Sequence, residues 1–317
     1  MQPGIFVSID WGTSNFRMRL VEKDSLRILE QKTEPVGIKA LYRQWQAEGG
    51  DRETRLIRFV EARRVSFRHP IPPGTGTVIS GMASSDIGLR ELPYRMLPMK
   101  LEAAGLSVAR LNYPECDLDI RLISGLCTER DIMRGEETQL VGLADQIDPL
   151  ETTVVVLPGT HSKHVCCHRG FVHTFRTLLS GELFDLLTSH SVLSGSVRRS
   201  GWTEAVEGVF KEGITDAVGD LGVLGSVFRV RAWDRLGKKS PEENYYYLSG
   251  LIIGSELNTL TKKPAERIIV AAPGELSALY RAAADYLGLA DKTTHLSANA
   301  LEHAVLKTHE QVAVRNG

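Results

Sequence analysis

The sequence predicts an α/β protein built from two similar halves, and three observations carry that prediction. An apolar, β-branched run ends in a Gly-Thr turn twice, at Asp10-Trp11-Gly12-Thr13 and at Leu157-Pro158-Gly159-Thr160. After each turn the chain alternates apolar with polar residues, as a half-buried strand does. Further on, strand-like and helix-like segments alternate, the pattern of a mixed sheet covered by helices.

In the first half, Ile5–Asp10 reads as a buried strand, Phe16–Val21 as its hairpin partner and Leu26–Gln31 as a third strand. A helix near Glu53–Arg64 follows, then the loop Pro72-Pro73-Gly74 and a short strand, Thr77-Val78-Ile79, ending at Ser80-Gly81. The second half repeats the opening with Thr152–Leu157, Lys163–Cys167 and Phe171–Thr177. Helical periodicity then marks Gly181–Ser189, Trp202–Lys211, Tyr245–Thr261, Glu275–Leu287 and Leu301–Ala313, with one strand between them at Arg267–Ala271. The glycine-rich stretch Gly213–Gly225 is expected to be a lid or connector. Superposing Gly12 on Gly159 also places Thr13 on Thr160, so the expected domains are a duplicated pair, 1–150 and 151–317. The alternative is that a common turn recurs by chance.

Composition narrows the function classes. The 317 residues suffice for two domains with cores of their own. With 42% hydrophobic and 24% charged residues, neither disorder nor a fibrous repeat is indicated. A formal net charge of -1 without a basic run argues against nucleic acid as a partner. No apolar stretch approaches the roughly 20 residues of a membrane span, and Met1–Gly4 has no signal-peptide pattern, so a cytoplasmic protein is expected. Cys116, Cys127, Cys166 and Cys167 lack metal-site spacing and are expected to be reduced thiols.

Chemistry is concentrated in a few segments. Asp10 closes a buried strand before a Gly-Thr-Ser turn, where a carboxylate can hold hydrated Mg2+ while the backbone N–H groups of Gly12, Thr13, Ser14 and Asn15 face phosphate oxygens. A turn aspartate that satisfies its own loop is the plain alternative. In the second turn Leu157 stands where Asp10 does, so only the first takes the metal. There Gly159, Thr160, His161, Ser162 and Lys163 offer phosphate donors, although His161 and Lys163 also fit an exposed strand face. In Arg134-Gly135-Glu136-Glu137 two carboxylates open a helix. Ordinary capping explains half of that, but a base near an acceptor hydroxyl needs such a group, with Glu136 favoured over Glu137. Ser84 and Ser85 suit sugar hydroxyls or a simple helix cap. Ala271-Ala272-Pro273-Gly274-Glu275 follows a strand and opens a helix, so its N–H groups can face a ligand. Gly250 and Gly254, four apart on one helix, read as close helix packing.

Together these segments resemble the 2-dehydro-3-deoxygalactonokinase family of the actin/hexokinase/Hsp70 superfamily. The matching pieces are Ile9–Asn15, Ser80-Gly81-Met82, Met133–Leu140, Pro158–Lys163, Phe175-Arg176-Thr177, Ser180-Gly181-Glu182, His190-Ser191 and Leu248–Gly254. The resemblance implies two ribonuclease H-like (actin-like ATPase) domains with mixed sheets and an interdomain cleft in which both Gly-Thr hairpins meet one nucleotide. It implies ATP and Mg2+ as cofactors and phosphorylation of the terminal 6-hydroxyl of 2-dehydro-3-deoxy-D-galactonate in galactonate catabolism. It further implies Gly274 and Glu275 at the adenosine. A substrate carboxylate also needs a cation, and Arg134 or Arg176 can supply it as a bidentate partner. Many relatives in the superfamily use Asp where this chain offers Glu136, and the adenosine stretch reads Ala-Pro-Gly-Glu rather than carrying a Gly-Gly pair. A kinase for another sugar or 2-keto-3-deoxy acid, and an actin-like nucleotide-binding regulator without a sugar acceptor, are the competing readings. A homodimer is compatible with the sequence, which identifies no face for it.

Overall fold

The computed structural model describes residues 4–262 and 265–314. The chain divides into two compact units. One holds the chain up to Ile147, Gly170–His173 and the chain from Asn299 onward; the other holds Asp148–Arg169 and Thr174–Ala298.

In the first unit β1 (Ile5–Trp11), β2 (Phe16–Glu22) and β3 (Ile28–Glu34) form an antiparallel meander. Helices α1 (Ile38–Glu48) and α2 (Arg52–Val65) lead to β4 (Thr77–Gly81), which lies parallel to β1. The short strands β5 (Arg95–Met96) and β6 (Met99–Lys100) precede β7 (Val108–Tyr113) and β8 (Leu118–Ile123). β8 is parallel to β4 and antiparallel to β7, so the sheet order is β3-β2-β1-β4-β8-β7. β9 (Leu126–Cys127) and β10 (Ile132–Met133) form a small sheet with β5, and α3 (Glu136–Gly142) follows. Strand alternation sends Val7, Ile9 and Trp11 into a core shared with Ile38 and Leu41 of α1 and Leu56, Ile57 and Val60 of α2.

In the second unit β11 (Thr153–Leu157), β12 (Ser162–His168) and β13 (Phe171–Leu178) are again consecutive neighbours. Then come α4 (Ser180–Ser189), α5 (Glu204–Val218), α6 (Gly222–Ser226), α7 (Arg229–Arg235) and α8 (Pro241–Thr261). β14 (Arg267–Ala271), α9 (Glu275–Tyr286), β15 (Thr293–Leu296) and α10 (Ala298–Val314) complete the chain. β14 is parallel to β11 and β15 to β14. The order β13-β12-β11-β14-β15 thus repeats β3-β2-β1-β4-β8 strand for strand.

The helix α8 starts at a capping box, Ser240 with Glu243, and is buried along most of its length. Its glycines allow close contact with α5: a Cβ on Gly250 would lie 2.0 Å from the Phe210 carbonyl, and one on Gly254 2.9 Å from Ile214 Cα. Gly213 packs the same way, 2.2 Å from the Tyr247 carbonyl, so the stretch expected to be a lid is largely helix, its first glycine serving contact rather than bending.

Two segments depart from the expected 1–150 and 151–317, Gly170–His173 and the C-terminal stretch. From Asn299 onward the chain, mostly α10, belongs to the first unit. Polar bonds explain it: His309 Nδ1 lies 2.8 Å from Ser8 Oγ, and Thr308 Oγ1 donates to the Thr138 carbonyl at 2.8 Å. Burial, with Arg19 nearby, pushes His309 down to about 3, so it sits there neutral.

Candidate functional site

In the first unit the β1–β2 hairpin closes through Gly12 N–H to the Asn15 carbonyl at 2.9 Å. Among the described residues the amides of Thr13 and Ser14 donate to no backbone carbonyl, and both residues are exposed. They are therefore free to meet an acceptor from outside the chain. The start of α1 braces this bend: Ile38 N–H donates to the Gly12 carbonyl (3.1 Å) and Lys39 N–H to that of Thr13 (3.2 Å). Gly37 makes this approach feasible, because a Cβ there would fall 2.2 Å from the Thr13 carbonyl oxygen. Asp10, one residue before the end of β1, is paired with Arg17 across the hairpin at 3.3 Å, its side chain about one-third exposed. Desolvation raises its carboxyl, with Arg17 and Arg19 opposing.

The start of α3 joins the same edge of the sheet. Gly81, at the end of β4, lies so close to β1 that its Cβ would be 2.7 Å from the Trp11 carbonyl, and a Cβ on Gly135 would be 3.5 Å from Gly81 Cα. Gly135 takes φ 111°, a turn that glycine tolerates. Asp10 and the Glu136-Glu137 pair therefore gather outside the carboxyl ends of the parallel strands β1 and β4, where open α/β sheets bind ligands. The two carboxylates differ. Glu137 is fully buried, takes the Gly135 N–H on both oxygens (2.9 and 2.7 Å), and is pushed up to about 8 by burial and the Glu136 charge. Glu136 is only half-buried and accepts the Arg134 N–H at 3.0 Å.

The neighbouring hydroxyls and cation face inward. Ser84 and Ser85 are buried and bond to the carbonyls of Gly81 and Met82. Arg134 stacks on Tyr94 at 4.1 Å and donates to the Ser84 carbonyl (2.6 Å) and hydroxyl (2.5 Å). These three residues shape the loop, while Arg176 on β13 is exposed.

In the second unit the bend Gly159-Thr160-His161 is exposed, and among the described residues its amides donate to no backbone carbonyl. The start of α4 braces it: Glu182 N–H donates to the Thr160 carbonyl at 2.9 Å, and a Cβ on Gly181 would lie 2.4 Å from the Gly159 carbonyl oxygen. His161 Nε2 sits 2.6 Å from the Glu182 carboxylate. Ser162 turns inward and donates to Glu256 of α8 at 2.6 Å, and buried Lys163 reaches the His161 carbonyl at 3.3 Å. Ser162 and Lys163 are thus engaged by the protein itself, and the exposed groups of this hairpin are its backbone amides and Thr160.

Gly274 opens α9 at φ 56° with open space around it. Glu275 is engaged by Arg199 (3.0 Å) and Tyr246 (2.8 Å). Beyond it a cavity of about 620 Å³ opens against α5 and α9, lined by Trp202, Lys211, Ala278, Arg281, Ala282 and Tyr286 among others. Its volume suits a small organic ligand. Sequence reading missed it because its walls come from two helices about 70 residues apart; the only signal was a helix opening at Gly274. Among the described residues no helix is long and apolar enough to cross a membrane, and no group of three or more His, Cys, Asp or Glu is arranged to hold a metal ion.

Fold and edge geometry define a class, the α/β proteins of the actin/hexokinase/Hsp70 ATPase superfamily. Within it the chain belongs to the 2-keto-3-deoxy-galactonokinase family, whose model matches residues 10–307. It is 29% identical over 289 residues to the 2-dehydro-3-deoxygalactonokinase of Escherichia coli K12, covering 89% of this chain and 90% of the relative. It is 31% identical over 294 residues to the probable 2-dehydro-3-deoxygalactonokinase DgoK1 of Rhizobium meliloti 1021, covering 90% of each. A crystal structure of a Sinorhizobium meliloti protein superposes with a TM-score of 0.79 at 27% identity over 98% of both chains.

Proposed function

We infer that this protein is an ATP-dependent kinase that phosphorylates 2-dehydro-3-deoxygalactonate, at its terminal 6-hydroxyl, as a step of galactonate catabolism. The family match across residues 10–307 carries the reading. The repeated strand order supports a duplicated ribonuclease H-like architecture.

The donor enters as MgATP. Asp10 is a hard oxygen donor of the kind Mg2+ accepts singly, the remaining sites going to phosphate and water, so the residues present fit the ion. Each bend, in its own unit, offers open amides suited to phosphate oxygens, and such fixed dipoles act where charge builds during transfer. The cavity beside α9 would take the base. Glu136 takes the proton of the attacking hydroxyl; Glu137, buried and favouring its protonated form near neutral pH, holds the Gly135 turn instead. Arg176, exposed on β13, is the cation for the substrate carboxylate.

A coupled assay of ADP release tests the reading across 2-keto-3-deoxy acids and hexoses. Release that depends on 2-dehydro-3-deoxygalactonate is expected; a preference for another acid changes the substrate, and release indifferent to any acceptor favours an actin-like regulator. Glu136→Gln is expected to lower kcat about 10²- to 10⁴-fold while ATP still binds. Near-normal turnover would remove Glu136 from the role.

A further inference from the structure

Glu256 is the one charged residue in α8 between Asn244 and Leu260, a stretch that is mostly buried. Its side chain has no exposure. Oε1 accepts the Ser162 hydroxyl at 2.6 Å and meets His164 Nε2 at 3.1 Å, whereas Oε2 has no hydrogen-bond partner among the described residues. Burial pushes the carboxyl up, but the bond and charge of His164 and the hydroxyls of Ser162 and Ser180 outweigh it, leaving Glu256 below its ordinary value. Tyr280 of α9 is buried alongside, its phenol held protonated by burial and then by the Glu256 charge.

Burying a charge costs several kcal/mol that its partners repay only in good geometry, so a buried carboxylate is by itself weak evidence of a stabilising role. What it does is join three elements. Ser162 and His164 alternate on β12, so both face α8, and Ser162 follows the Gly159-Thr160-His161 bend directly. Tyr280 lies on α9 between Ala278 and Arg281, which line the cavity.

Resting on the reading of that bend as a phosphate grip and that cavity as the base site, we propose that Glu256 is a positioning residue for the donor nucleotide. It fixes Ser162, and through it the amides of the bend, against the helix that holds the base. Its loss weakens the grip on nucleotide and leaves the sugar-acid site alone.

The test measures ADP affinity by calorimetry, the KM for ATP and for the sugar acid, and thermal melting in the full chain. Glu256→Leu leaves the buried Ser162 hydroxyl and His164 without their acceptor, so it is expected to melt lower than the parent, while ADP affinity falls and the KM for ATP rises, each about tenfold, as for a lost hydrogen bond to a charged group. The KM for the sugar acid should stay within about twofold. Glu256→Gln, whose amide oxygen still accepts from Ser162, should recover most of the affinity. Unchanged ADP affinity in folded Glu256→Leu overturns the proposal. If that variant does not fold, Ser162→Ala, which removes the same bond, decides in its place. Gly159→Val separates this inference from the one beneath it, because a Cβ there meets nothing within 4 Å and so projects into open space at the tip of the bend, where a phosphate would approach. If Gly159→Val binds ADP normally, the phosphate reading fails; if it loses ADP while Glu256→Leu and Ser162→Ala keep it, only the role of Glu256 does.

Discussion

The two Gly-Thr bends are built alike and equipped differently. Each ends a buried strand of a three-strand meander, each leaves amides open at its tip, and each is braced by a helix that begins beside a glycine, Gly37 or Gly181. At the first, a carboxylate stands at the strand's end in partial contact with solvent. At the second that position is Leu157, part of the buried core, and the carboxylate is Glu256, fully buried behind the hairpin. On the function proposed above, the open amides are the part the two bends share, while their side chains would divide the rest: Asp10 of the first would meet the metal-bound donor, and Glu256 behind the second would fix where the donor lies.

Removing the first carboxylate should have the largest effect. Asp10→Asn is expected to lower kcat on the order of 10²- to 10³-fold, the loss typical of one electrostatic contact to a transferring group. Leu157→Met, a near-isosteric change at the matching position, should leave turnover almost unaltered. Equal losses at the two positions would mean that the bends share one chemistry. The braces come next. Gly37→Ala and Gly181→Ala each place a methyl group within 2.4 Å of a carbonyl oxygen in the adjacent bend. Each should cost about 1–3 kcal/mol in denaturant unfolding, as overpacking does, and raise the KM for ATP. A variant that loses neither stability nor nucleotide affinity would show that its helix does not hold the bend.

The meanders and bends were legible because their signals are local: an apolar run, a Gly-Thr turn, an alternating run. β14 was read to the residue for the same reason, a β-branched segment bounded by Glu266 and Ala272. α1 was missed because it starts after Gly37 with no polar cap, held instead by carbonyls from residues 12 and 13. The site was less legible where partners are distant. Ser84, Ser85 and Arg134 are the residue types that bind sugar acids, yet they bond to one another's segments, which spacing cannot reveal. Glu256 looked like one polar residue in an apolar helix, and its meaning depends on Ser162, 94 residues earlier. α10 joined the first unit through Ser8 and Thr138, contacts invisible to a cut made by sequence order.

The smallest expected effect is the sharpest test of the contrast between the bends. His161 is the one side chain of the second bend with an ionisable group at its tip, paired with Glu182 at 2.6 Å. Both side chains are close to half exposed, and pairs so placed contribute no more than about 1 kcal/mol. His161→Ala should therefore barely change melting and should raise the KM for ATP by no more than about threefold, with kcat intact. The bracing bond from Glu182 N–H to the Thr160 carbonyl does not involve the imidazole and would survive the substitution. A fall in kcat of tenfold or more would instead mean that the imidazole acts on the transferring group. The second bend would then carry chemistry of its own, and the division of labour between metal handling and positioning would have to be redrawn around His161 rather than Glu256.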